Sequence, residues 1–179
     1  MFEKLEGLER ALAENGKRVQ KTLKEDVDKF LWRHKGKWWG AFTAILDTTA
    51  KRAFSDIFEF DTYQAARLHH QENGKLVRYI RKDINGTRGR HFRVGKSLTA
   101  IHRRLFENWF TWKEVEKEGR TDYIVGFIPL SKWGNGGGFK DLSKAGYISG
   151  ESSGIYIISE IAPNVCRVTR IQVRGEMGV

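Results

Sequence analysis

Residues 103–130, RRLFENWFTWKEVEKEGRTDYIVGFIPL, decide how the rest of the chain is read. Phe106, Phe110 and Trp112 fall on one parity, while Glu107 and Lys113 fall on the other, the pattern of a strand with one buried face. The return run 121–130 is apolar on both parities, as in a strand covered on both faces. Between them, Glu116, Lys117, Glu118, Gly119 and Arg120 form a polar link of the length that closes an antiparallel hairpin. Such a hairpin is the centre of a sheet, and function follows from what that sheet encloses.

Upstream, residues 76–84 and 87–98 read as strands, and Asn85-Gly86 between them is the strongest short hairpin signal in the chain. Arg78, Arg81, Lys82, Arg88, Arg90, Arg93 and Lys96 stand there against one acid, Asp83. They make either a surface for the phosphates of an anionic membrane or a nucleic acid, or a solvated sheet edge protected by charge. Earlier still, AFTAILDTT (residues 41–49) reads as a strand ending near Asp47. Thr48 or Thr49 then caps a helix from Ala50 to Phe60, with Ala53, Phe54, Ile57 and Phe58 on its apolar face. A second short helix follows from Tyr63 to His70.

In the first 36 residues, Phe2, Leu5, Leu8, Leu12, Val19, Leu23, Val27 and Phe30 recur at steps of three, four or seven. This predicts an amphipathic helix to about Lys35, or two helices with a break where Glu14-Asn15-Gly16 weakens the middle. It either docks on its own domain or offers its apolar stripe to a partner.

Downstream, residues 131–144, SKWGNGGGFKDLSK, predict a flexible loop without the lysine-then-Ser/Thr ending of a phosphate-binding loop. The last third reads as strands, with turns at residues 151–154 and 162–164. Gly150-Glu151-Ser152-Ser153-Gly154 matches the spacing of a nucleophile elbow. A strand-like run, IYIISEI, follows it instead of a helix, and no histidine lies beyond His102, so serine hydrolysis is excluded.

The chain of 179 residues carries 32 lysines and arginines against 22 acids, a formal charge of +10, which favours anionic partners. Cys166 is the only cysteine, so no intrachain disulfide forms and a reducing compartment is expected. The charged N-terminus is not a secretory signal, and no run approaches the roughly 18–20 apolar residues of a membrane span. The expectation is a cytoplasmic protein with peripheral contact at membranes. His34, His69, His70, His91 and His102 show no ligand spacing with carboxylates or Cys166, so neither metal nor cofactor is expected.

Arg104-Leu105-Phe106 resembles the arginine-aspartate-phenylalanine motif that opens a strand in the START (steroidogenic acute regulatory protein-related lipid transfer) domains, in particular divergent forms from protists. Residues 109–115 and 123–129 resemble the paired strands after that motif, with Leu105 in place of the aspartate. Residues 153–161 and 165–169, then Arg174-Gly175-Glu176-Met177, resemble the last two strands and the glycine leading into the family's C-terminal helix. The resemblance implies an α+β helix-grip fold of the START and Bet v 1 type, a curved antiparallel sheet with helices. It divides the chain into an N-terminal helix at 1–36 and a lipid-binding domain at 37–179, which ends where the family's long C-terminal helix would begin. It implies a non-enzymatic module that binds, and can transfer, one hydrophobic lipid such as a sterol or phospholipid.

On that reading Phe106, Phe110, Trp112, Tyr123, Val125, Phe127, Tyr156 and Ile158 line the lipid, and Arg104 is its charged contact. The same aromatics could instead be filled core. Three other classes stay open: nucleic-acid binding through the basic and aromatic elements, an enzyme on the same cavity fold, and a scaffold with a filled interior.

Overall fold

The computed structural model describes residues 2, 7–19, 27–59, 61–82, 88–97, 103–117, 119–132 and 146–174. Their elements run α1 (Leu8–Asn15), β1 (Lys17–Val19), β2 (Val27–His34), β3 (Lys37–Leu46), α2 (Ala50–Phe58), α3 (Tyr63–Asn73), β4 (Arg78–Lys82), β5 (Gly89–Ser97), β6 (Arg103–Lys117), β7 (Arg120–Pro129), a 3-10 turn (Leu130–Lys132), β8 (Tyr147–Gly150), β9 (Ser152–Ala162) and β10 (Val165–Arg174).

The β6–β7 hairpin pairs Lys117 with Arg120 and runs to Asn108 opposite Pro129. The sheet extends from it on both sides in the order β1-β2-β3-β10-β9-β7-β6-β5-β4. Where β7 ends, β8 pairs in parallel with the start of β6, Phe106 opposite Gly150. All other pairings are antiparallel. Strand alternation divides the side chains between two faces, and each face has its own core.

The inner face carries Phe110, Val125, Phe127, Ile158 and Cys166, which pack with Ala50, Ala53 and Phe58 of α2. Thr49 starts α2 with its hydroxyl accepting from the Arg52 amide at 3.2 Å, and Glu160 of β9 accepts from the Ala50 amide at 3.1 Å. Two orphan donors of the first turn are thereby satisfied, one of them by the sheet itself. The outer face carries Trp32, Ala41, Ile155, Ile157 and Ile171, with Leu8 of α1 packed against them. From Val125 onward β7 is buried on both parities as its apolar run predicts, with Val125 and Phe127 inward and Ile128 on the other side, while residues 121–124 are half-buried.

The sheet is strongly curved. Arg170 on β10 and Lys96 on β5 stand four strands apart, which would be roughly 19 Å on a flat sheet. Both side chains belong to the inner face by strand alternation. Gly154 allows β9 to pack closely against β10 and the Phe127 ring. A Cβ there would collide with the Ile171 carbonyl and come within 2.8 Å of the Phe127 ring.

The long N-terminal helix is corrected. The described helix is Leu8–Asn15, and Val19, Val27 and Phe30 of the predicted apolar stripe lie on strands β1 and β2. The reason is local: Lys35 (φ 49°) and Gly36 (φ 76°) form a two-residue turn with both central residues left-handed, which commits the flanking segments to a hairpin. Trp32 stacks on its cross-strand partner Trp39, ring centroids 6.4 Å apart. Residues 27–34 therefore belong to the sheet, and the apolar side of α1 is spent on it, with Leu8 and Ala11 buried. The GESSG stretch crosses from β8 into strand β9, without a helix. The Asn85-Gly86 turn, most of the glycine-rich 131–144 run and residues 175–179 lie outside the described residues, although β4 and β5 pair antiparallel as expected.

Candidate functional site

The inner face is laid out in rows of rings. Near α2, Phe54 stacks on Tyr123 (4.8 Å between centroids) and meets Trp112 at 4.7 Å. Across the middle of the sheet, Phe92 meets Phe110 edge-on at 5.6 Å, Phe110 stacks on Phe127 at 5.2 Å, and Phe127 meets Tyr156 at 5.8 Å. Such pairs contribute about 0.5–1.5 kcal/mol each beyond area burial.

All nine residues expected to contact a ligand share this face by strand alternation. Phe110, Val125, Phe127 and Ile158 are buried in the packed core, the last three at 1% exposure or less. Arg104, Phe106, Trp112, Tyr123 and Tyr156 keep partial exposure. Trp112 and Tyr123 are the floor on which α2 sits. Accessible apolar surface away from α2 lies on two facing walls: Phe42, Tyr156 and Val168 on β3, β9 and β10, and Ile80, Phe92 and Phe106 on β4, β5 and β6.

The seven basic residues of β4 and β5 do not form one surface. Arg93 faces outward, 7% exposed, and donates to Glu107 at 2.6 Å. Arg90 faces inward, donates to Glu59 at 3.3 Å and lies over the Phe58 ring at 5.0 Å. Arg78 reaches over Phe92 at 6.0 Å and Arg88 over Trp112 at 4.4 Å. Lys96 is exposed, and Arg81 and Lys82 are placed by their backbones in β4.

Arg170, which the sequence reading did not single out, lies over Tyr156 at 5.3 Å and Phe127 at 5.8 Å. Its Nε is buried without a hydrogen-bond partner among the described residues. The signal for it is in the strand: Cys166, Val168 and Arg170 share one parity, two apolar residues followed by a cation on the buried face. Burial pushes the Tyr156 hydroxyl pKa up, and the nearby Arg170 charge opposes that rise. Desolvation pulls the Lys96 pKa down, Arg170 adds to the effect, and Glu72 counters it. Asn108 is buried, its carboxamide 3.2 Å from the Ser152 hydroxyl. Among the described residues no cluster of histidine, cysteine and carboxylates could hold a metal.

This arrangement has the StAR-related lipid transfer (START-like, helix-grip) fold. Against the lipid transfer and protein localization domain of human StarD13, the TM-score is 0.64 at 12% identity, over 96% of this chain and 81% of that one. A STAR-related lipid transfer protein from Xanthomonas axonopodis gives 0.62 at 11%, over 89% and 81%. Human StAR-related lipid transfer protein 5 gives 0.61 at 13%, over 96% and 82%. No family model and no curated protein sequence matches the chain.

Proposed function

We propose that the chain binds a single hydrophobic lipid on the inner face of its sheet, without chemically changing it, and moves it between membranes. The observation that carries this reading is the START-like fold over nearly the whole chain, in domains described as lipid transfer proteins. The two partly exposed apolar walls beyond α2 fit it, since each methylene of a lipid tail taken out of water there contributes about 0.8 kcal/mol. Arg104, Phe106 and Tyr156 touch the ligand, while Phe110, Val125, Phe127 and Ile158 hold the wall rigid behind them. Arg88 and Lys96, the exposed cations of the basic hairpin, meet an anionic membrane, each adding about 1 kcal/mol.

Native mass spectrometry of the chain purified from cells, and again after incubation with mixed phospholipid and sterol vesicles, tests the proposal. One lipid per chain is the expected result. A chain that stays lipid-free in both experiments would sink it.

A further inference from the structure

We infer that the tip of the β2–β3 hairpin docks on an anionic lipid bilayer, with Trp38 set among the headgroups. This rests on the lipid-transfer reading above and names the surface through which the membrane is met.

The tip is held in shape from behind. Its turn, Lys35-Gly36, has both residues left-handed, and Trp32 stacks on Trp39 in the outer core that Leu8 of α1 joins. Trp38 follows the other parity, onto the inner face, and is 58% exposed. Register sets Arg33 opposite Trp38 and Leu31 opposite Gly40. Gly40 stands between Trp38 and Phe42 on that parity, and a Cβ there would have only the Phe30 carbonyl within 4 Å, at 3.8 Å. Leu31, Trp38 and Phe42, all exposed, therefore border a gap that the fold leaves open. Single exposed apolar side chains are ordinary on a surface, whereas three around one gap on adjacent strands form a patch.

The charge around the patch identifies what covers it. Lys29, Arg33, Lys35 and Lys37 stand between Asp28 and Asp47 with no acid among them. Arg33, Lys35 and Lys37 are exposed. An indole bordered by cations fits the interface of an anionic bilayer, where the ring settles at headgroup level and the cations meet phosphates. A second copy of this chain would bring the same cations against them. A single-stranded nucleic acid would find one exposed ring at the tip rather than a row of them.

The position of the tip suits transfer. Phe42 borders the patch and also belongs to the open wall with Tyr156 and Val168, so a lipid leaving the bilayer at the tip meets apolar surface on its way inward. Across the sheet the register runs from Gly40 through Gln172, Gly154, Phe127 and Phe110 to Arg90, and β5 runs from there toward the tip. Exposed Lys96, beyond Arg90 on β5, thus lies at the same end of the sheet.

Co-sedimentation of the full chain with phosphatidylcholine vesicles, with and without phosphatidylserine, tests the inference. Binding is expected to require phosphatidylserine. Lys37→Gln should weaken it about fivefold, the contribution of one cation at an anionic surface, against less than about twofold for Lys51→Gln on α2 at the far end of β3. Trp38→Ala should weaken it about tenfold, as expected when one large ring is truncated. Brominated phosphatidylcholine should quench the tryptophan fluorescence of the wild-type chain and do so markedly less in Trp38→Phe. Thermal melting checks the fold of each variant, and Lys37→Gln carries the test if Trp38→Ala melts early.

Equal losses from Lys37→Gln and Lys51→Gln, or unchanged binding by a folded Trp38→Ala, would overturn this inference; one lipid per chain in native mass spectrometry would then leave the lipid-binding reading standing. Vesicle binding through the tip by a chain that takes up no lipid would sink that reading and keep the docking surface. Binding of single-stranded RNA that the same variants weaken, without vesicle binding, would assign the patch to nucleic acid and overturn the bilayer. A dimer dissolved by Trp38→Ala, again without vesicle binding, would assign it to a second copy and overturn the bilayer equally.

Discussion

The inner face has two halves that the same strands build in opposite ways. Under α2, Phe54, Phe58, Trp112 and Tyr123 interlock, Val125 and Ile158 are fully buried, and the cation at the margin, Arg90, has its carboxylate. Beyond α2, Phe106, Tyr156 and Val168 stay partly open, and Arg170 has rings for neighbours and no carboxylate among the described residues. The first half is covered by α2, while Tyr156 and Val168 of the second pack against the same core without a helix over them. On the lipid-binding reading proposed above, filled core and ligand wall lie side by side on one face and meet at Phe127.

The largest effect comes from breaking that divide. Phe127, buried at 1% and touching rings on both sides, is expected to cost about 3–5 kcal/mol when changed to alanine, read as a fall in the urea midpoint. Next comes Gly154→Ala, whose Cβ collides with the Ile171 backbone and costs about 1–3 kcal/mol by the same measurement.

A smaller pair of changes should differ in sign. Glu59→Gln strips Arg90 of its partner and lowers stability by about 1 kcal/mol, discounted because Glu59 is 42% exposed. Arg170→Met removes a cation that has no carboxylate among the described residues and leaves the protein at least as stable, as thermal melting would record. Equal losses from both would mean that Arg170 is ordinary core packing.

The smallest effect is on alkaline stability. Burial raises the folded pKa of Tyr156 above its unfolded value of about 10. Its contribution is complete below that unfolded value. It is lost as pH rises through the folded pKa, because the unfolded chain ionises first. Tyr156→Phe should flatten stability against pH above about 10.

Much of the sheet was legible from parity alone. Phe106, Phe110 and Trp112 do share the inner face, β7 is covered on both sides, and Thr49 caps the helix that covers one half. The N-terminal segment misled because apolar steps of three, four and seven fit a helix, while a short strand such as Val27–His34 offers too few residues to outvote them. The deciding signal there was Lys35-Gly36, a two-residue turn between tryptophans. Arg170 escaped for a different reason. Parity places it on the inner face, but which groups stand around it depends on several strands at once and cannot be read along one strand.

The most direct measurement is photocrosslinking with a phospholipid that carries a diazirine at mid-chain, followed by peptide mapping. The account predicts one lipid per chain and adducts on the two open walls, at Phe106, Tyr156, Val168 and their inner-face neighbours. Adducts confined to the outer face around Trp32 and Ile155, or none at all, would contradict it.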